Sequence, residues 1–171
     1  MQELIILKCH QNLDLLSSKS YFYAIFDSLT FVNRKYKVRI LGYVLLPNQI
    51  QLVISLKDKS KLNDYIENFK TVSRNEIIRL LKAENKKAVL EKIQFTQREQ
   101  RYKVWETSFE EMVLKTAETM NEAIEKIHKE AVSSNLATAP EKYEYSSAKF
   151  YISNISIEIK VSDYRKLSLK E

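Results

Sequence analysis

Gln49 and Gln51 stand two residues apart in LGYVLLPNQIQLVISL, the run from Leu41 to Leu56. On a strand, side chains alternate, so both amides leave the same face of a sheet. A glutamine oxygen can ligate Mg²⁺ or Mn²⁺, but it is neutral, and two amides without a carboxylate hold a hydrated cation poorly. Glu130, on a predicted facing helix, is the one residue placed to add a charge. The simpler reading is a pair of polar side chains on a groove-facing strand. Cys9 and His10 form a second potential pair; two ligands alone make no metal site, and they read as the end of a strand. Nucleophiles are equally sparse where they would matter: the chain has ten tyrosines, yet none lies between Lys103 and Lys142.

The elements that position these residues follow from hydrophobic periodicity. Glu3 to His10 reads as a strand. Ser20 to Lys35 reads as a helix, with Tyr21, Ala24, Ile25, Leu29 and Val32 at helical spacing and Ser18 or Ser20 as its cap. Tyr36 to Leu46 and Gln49 to Leu56 read as two strands joined by a Pro47-Asn48 turn. Lys61 to about Glu84 is a long amphipathic helix with Leu62, Tyr65, Ile66, Phe69, Val72, Ile77, Leu80 and Leu81 as its stripe. The charged stretch Asn85 to Arg101 reads as partly helical, and Arg101 to Val113 as a strand around Trp105. Ala117, Met120, Ile124, Ile127 and Ala131 mark a last helix. This β-α-β-β-α-β order predicts an α+β fold, a ferredoxin-like antiparallel sheet with helices packed on one face. Residues 1–152 form the domain. Residues 153–171 form a tail in which Ile155, Ile157 and Ile159 alternate like one more edge strand.

Composition narrows the function classes. Lys and Arg number 28 against 22 Asp and Glu, a net charge of +6 that permits a polyanionic partner without requiring one. The single glycine, Gly42, excludes a P-loop or a dinucleotide fingerprint. One cysteine excludes an internal disulfide framework and suits a reducing cytoplasm. No stretch has the roughly 18 apolar residues of a membrane span, and the start lacks a signal-peptide pattern. A cytoplasmic protein without membrane contact is expected.

The motifs, in order, resemble one family. The Leu41–Leu56 run resembles the "MPNHVHLLV" segment of the single-tyrosine HUH transposases, the IS-two-hundred type, and most closely their REP-associated tyrosine transposase branch. Lys103-Val104-Trp105-Glu106-Thr107-Ser108-Phe109 resembles the family's "vWq..f" strand entry. Lys126-Ile127-His128-Lys129-Glu130-Ala131-Val132 resembles its "YIHxNPV" helix. Asn135-Leu136 with Ala139-Pro140-Glu141-Lys142-Tyr143-Glu144-Tyr145-Ser146-Ser147-Ala148 resembles its "aGLv..PedyxySSa" exit. The resemblance implies the ferredoxin-like fold, a site in which two histidines hold Mg²⁺ or Mn²⁺, and a tyrosine that attacks a DNA phosphorus. This chain departs from the pattern at each of those places. Gln49 and Gln51 replace the histidines, Lys126 replaces the tyrosine, and Glu130-Ala131 replaces an Asn-Pro pair.

The expectation is therefore a transposase-like protein that binds single-stranded or hairpin DNA without cutting it. No catalytic residue is intact, and no metal or other cofactor is expected. Candidate DNA contacts are Lys70, Arg74, Arg79, Arg98, Arg101, Lys103, Lys126 and Lys129, with Lys126 placing an ammonium where the tyrosine would meet the phosphate. Trp105 and Phe109 read as core rather than as stacking platforms. One alternative is an active DNA transposase or nuclease that uses Tyr102 or Tyr143, or a metal held through Gln51 and Glu130. Another is an interaction scaffold, a homodimer or a regulator that pairs with an intact transposase.

Overall fold

The computed structural model describes residues 1–97, 100–155 and 158–167. Four strands form the main sheet: β1 (Gln2–Lys8), β2 (Arg39–Leu46), β3 (Gln49–Ser55) and β6 (Glu110–Leu114), in the order β2-β3-β1-β6 with every pair antiparallel. Helix α1 (Lys19–Tyr36) joins β1 to β2, and α2 (Leu62–Ala83) leaves β3. This is the expected ferredoxin-like α+β unit. Helix α1 starts after Ser18, whose hydroxyl meets that of Ser20 at 2.9 Å instead of capping the backbone.

Strand periodicity divides the core in two. Ile5, Leu7, Tyr43, Leu45, Ile50, Leu52 and Ile54 pack against α1 and α2, which share one face. Leu4, Val44, Leu46 and Val53 face the other way and meet α4 (Ala117–Ser133) through Met120, Ala123, Ile124, Ile127 and Ala131. Burial on both faces explains the nearly unbroken apolar run of β2 and β3. Thr116 opens α4 with a capping box closed by Thr119, both bonds at 3.1 Å.

The segment before β6 is helical in part, as expected, but the strand expected over Arg101 to Val113 is broken around Trp105. It contains α3 (Lys87–Lys92) and a small hairpin of β4 (Gln94–Gln97) and β5 (Gln100–Tyr102). Beyond it, Trp105 makes only an isolated bridge to Cys9. The Glu106 amide still donates to the Lys8 carbonyl at the end of β1, and the chain turns away after it, where the Thr107 carbonyl accepts from Lys70 Nζ at 2.8 Å. The Trp105 indole donates to Ser73 Oγ on α2 at 2.9 Å, which fixes the ring in the core.

After α4, residues 145–147 line the outer edge of β2: Leu45 N donates to Tyr145 O, and Ser147 N to Tyr43 O. Helix α5 (Ala148–Ser153) follows and ends at Asn154, in the left-handed region at φ 51°. Of the alternating tail isoleucines, Ile155 is exposed and Ile159 buried, and Ile157 lies outside the described residues. Val161 bridges Ile40, and Ser162 N donates to Ile40 O at 2.8 Å, so the tail meets the edge of β2 in its own chain.

At Gly42 the side chains of α4 pack directly on the backbone of the sheet. A Cβ there would stand 2.3 Å from Ile124 Cδ1 and 3.1 Å from Ile127 Cδ1. Gly42→Ala is expected to cost about 1–3 kcal/mol in denaturant unfolding, the usual range for overpacking. Ile124→Val removes the clashing methyl, so the same glycine substitution should cost measurably less in that background. Equal costs in the two backgrounds would remove this contact as the cause.

Candidate nucleic-acid interface

Gln49 and Gln51 lie on one face of β3, the face that α4 covers. Gln49 is half-buried. Gln51 is 3% exposed, and its Oε1 has no hydrogen-bond partner among the described residues. Its cross-strand neighbours, Val44 on β2 and Ile6 on β1, are apolar. Gln49 pairs with Leu46 on one side and Lys8 on the other. Lys8 Nζ binds Glu110 Oε1 at 2.6 Å. Lys8 was not a candidate from sequence, since only the strand register sets it beside Gln49.

Lys126 and Lys129 are exposed on α4, because Ile127 and His128 take the inward positions. Lys129 pairs with Glu125 at 3.4 Å. Lys126 has no ion-pair partner among the described residues, and Glu130 is half-buried. His128 is 6% exposed, with Nε2 2.8 Å from Ser147 Oγ. Burial holds this imidazole down at about 4. Ser147 Oγ also accepts from Tyr43 N at 2.9 Å. Tyr143, one alternative nucleophile, donates to the Leu45 carbonyl at 2.7 Å, and burial raises its phenol further above the ordinary range. Tyr102, the other, lies half-buried on β5 beneath the Lys82 ammonium and the Arg101 guanidinium.

The structure gathers three of the other candidate cations at one cleft. Lys70 and Arg74 project from α2, and Lys103 from the segment after β5. Together with Glu67, Thr71, Phe95, Trp105, Glu106 and Thr107 they line a cavity of about 210 Å³. Lys70 is 8% exposed and acts as a strut: besides the Thr107 carbonyl it binds Glu67 at 3.2 Å and lies over the Phe109 ring. Lys103 binds Glu106 at 3.2 Å. Glu106 is partly buried, which opposes its charge. The Gln11 amide at 2.7 Å and Lys103 outweigh that cost and hold the carboxyl below its ordinary range. Arg79 pairs with Glu76 further along α2, and Arg101 is exposed on β5. Arg98 lies outside the described residues. The candidates on α2 and on α4 thus lie on opposite faces of the sheet. Among the described residues, no three His, Cys, Asp or Glu side chains are grouped to hold a metal ion.

No family model matches this chain, and no curated protein matches it. Solved structures do. A REP-associated tyrosine transposase bound to a REP hairpin superposes with a TM-score of 0.66 at 12% identity, over 99% of this chain and 90% of that one. A Deinococcus radiodurans R1 chain described as a transposase superposes with a TM-score of 0.51 at 11% identity, over 80% of this chain and 90% of that one. The chain therefore shares the fold of these transposase structures. No helix among the described residues is long and apolar enough to cross a membrane.

The buried His128 gives stability a definite pH dependence. Its folded value, about 4, lies below the ordinary 6.5, so the unfolded chain binds the proton more tightly. Its contribution is complete above about pH 6.5 and is lost as pH falls towards 4, up to about 3 kcal/mol. Glu3 works in the opposite sense: burial raises its carboxyl, Lys59 opposes this, and Glu111 adds to it. Glu3 is unchanged in a His128→Gln variant, so the difference in slope isolates the histidine. Between pH 7 and 4.5, unfolding free energy should fall less steeply for the variant than for the parent. Parallel curves would remove the neutral-histidine assignment.

Proposed function

We propose that this chain is a transposase-like protein that binds hairpin or single-stranded DNA and does not cleave it. The observation that carries this reading is the state of the β3 face beneath α4. Gln49 and Gln51 are neutral donors, Gln51 is enclosed between apolar neighbours, and Lys8 sets an ammonium across from Gln49. That donor set does not fit a divalent cation, which requires charged oxygen ligands and room for its waters. Lys126, exposed and without an ion-pair partner among the described residues, is suited to holding a phosphate oxygen. An ammonium there supplies charge but no nucleophile that could be carried on the DNA end. The REP-associated transposase that shares the fold was captured on a REP hairpin, which makes a folded single strand the first ligand to test.

Self-association is the second reading, and the sheet edges direct it. The outer edge of β2 is occupied by residues 145–147 and 161–162 of the same chain. The opposite edge, β6, has no second partner strand among the described residues and carries Met112, which is 54% exposed. A homodimer would form there by antiparallel extension of the sheet.

The deciding experiment incubates the protein with a pool of DNA hairpins in Mg²⁺ or Mn²⁺ and scores retention and covalent adduct separately. Retention that weakens with salt, without adduct, is expected. Lys126→Glu should lower affinity and reduce the slope of log K against log salt by about 1 or more. An adduct that survives denaturation would overturn the non-cleaving assignment.

A further inference from the structure

A second cavity, also of about 210 Å³, lies between α4, α5 and the turn Tyr164–Lys166. The DNA-binding reading makes no use of it. Its α4 wall is a single helical face, with Asn121, Ile124, Glu125, His128 and Lys129 at spacings of three, one, three and one. Most of the lining is apolar. Ile124, Pro140 and the exposed Ile152 supply aliphatic surface. Tyr151 and Tyr164 supply aromatic surface, with ring centroids 5.4 Å apart, and the His128 ring lies 5.6 Å from that of Tyr151. The Tyr151 hydroxyl is engaged elsewhere, donating to the Leu41 carbonyl, so the cavity meets its ring. An apolar cavity with a few convergent polar groups is the form that small-molecule sites take, and this one has room for one or two fused rings.

The polar groups of the lining differ in what they have left to offer. Each oxygen of the Glu125 and Asn121 side chains already has a donor. Asn121 Nδ2 donates to Glu125 Oε1 at 3.0 Å, Lys129 Nζ to Glu125 Oε2 at 3.4 Å, and the Tyr164 hydroxyl to Asn121 Oδ1 at 2.7 Å. Donors are in surplus. Lys129 uses one of its three N–H groups on Glu125. Arg165 commits Nε and Nη2 to Asp163 at 2.9 Å each, which leaves Nη1. The third donor is buried. The Ser147 hydroxyl has one proton and two acceptors in reach, His128 Nε2 at 2.8 Å and the Tyr43 carbonyl at 3.3 Å. Assigned to the shorter contact, that proton leaves Nε2 bare. Burial keeps the ring neutral, so its own hydrogen sits on Nδ1. Nδ1 has no hydrogen-bond partner among the described residues.

We propose that this cavity binds a small aromatic carboxylate, with its ring against Tyr151 and Tyr164 and its carboxylate accepting from His128 Nδ1 and Lys129. The chemistry selects this class against its neighbours. A cationic ring would meet Lys129 and Arg165, while both oxygens of Glu125 are engaged. A neutral hydrocarbon would bury Nδ1–H without an acceptor, at the cost of desolvating it. A carboxylate without a ring would leave the apolar lining unfilled. The Lys129–Glu125 pair is exposed, so redirecting Lys129 to a ligand costs little. Arg165 adds positive charge at the lining without leaving Asp163.

The test titrates the full chain with naphthoate, and with naphthylmethylammonium as a cation of similar shape, by calorimetry and by ¹⁵N spectra of the imidazoles. The chain has two histidines, so His10 serves as the internal reference for His128. Naphthoate is expected to saturate with a Kd below about 1 mM, and the cation to bind at least about tenfold more weakly. The His128 Nδ1 resonance should move on binding while those of His10 stay in place. Lys129→Gln and Ile152→Ser change exposed side chains, so folding is not at stake. Each should weaken naphthoate binding about threefold or more, with thermal unfolding near the parent's. Absence of saturation at about 5 mM overturns the proposal. Equal affinity for the cation overturns it as well, because the surplus of donors then selects nothing. Binding that leaves the His128 resonances unmoved and survives both substitutions places the ligand elsewhere and overturns the assignment of this cavity.

Discussion

The Ser147 hydroxyl joins the sheet, the helix above it and the exit of the chain. It accepts from the Tyr43 amide at 2.9 Å, and His128 Nε2 lies 2.8 Å away on α4. The backbone beside it closes the outer edge of β2. Because this bond fixes His128 inward, the helical period fixes everything else on α4. Ile124, Ile127 and Ala131 meet the sheet, and Lys126 and Lys129 must face solvent. Gly42 makes the arrangement possible by leaving space for the Ile124 and Ile127 methyl groups. An imidazole that stays neutral well below its ordinary range suits this role, since a charged ring would not tolerate the enclosure.

The same packing decides what the β3 face can do. A sheet with helices on both sides has little room for a hydrated ion, and here Gln51 presents an unpartnered oxygen to an apolar neighbourhood. An unsatisfied buried acceptor costs about 1–3 kcal/mol. A neutral amide can be held at that cost, whereas an isolated charge could not. The face is therefore continuous with the core at Gln51 and becomes polar only towards Gln49, Lys8 and Glu110.

Much of this was legible in the sequence, for reasons that differ by segment. Strands β1 and β3 and helices α1, α2 and α4 follow hydrophobic periods that survive folding with shifts of one or two residues at their ends. Between residues 85 and 109 only the partial helix was legible, as α3. The charged composition of this stretch carries no period, and the β4–β5 hairpin and the detour at Trp105 are set by distant partners such as Lys70, Ser73 and Lys8. The candidate site divides along the same line. The shared face of Gln49 and Gln51 follows from a spacing of two, but the adjacency of Lys8 depends on a strand register that no local pattern encodes. The enclosure of Lys70 was invisible for the opposite reason: on a charged helix, a buried lysine and a solvated one look alike.

Net charge overstates what this surface offers to a phosphate backbone. Lys8, Lys70, Arg79, Lys103 and Lys129 each lie within 4 Å of a carboxylate, and a phosphate must displace that partner before it gains the full attraction. For the exposed pairs the displacement costs little. For Lys70 it would also break the strut that holds residues 105–109 to α2. Arg74, Arg101 and Lys126 have no carboxylate partner among the described residues. Arg74 and Arg101 lie on the α2 side of the sheet, and Lys126 lies on the α4 side. No flat duplex face spans that arrangement. On the DNA-binding reading proposed above, a flexible strand would reach both sets by passing around the end of the sheet where β1 ends and β3 begins.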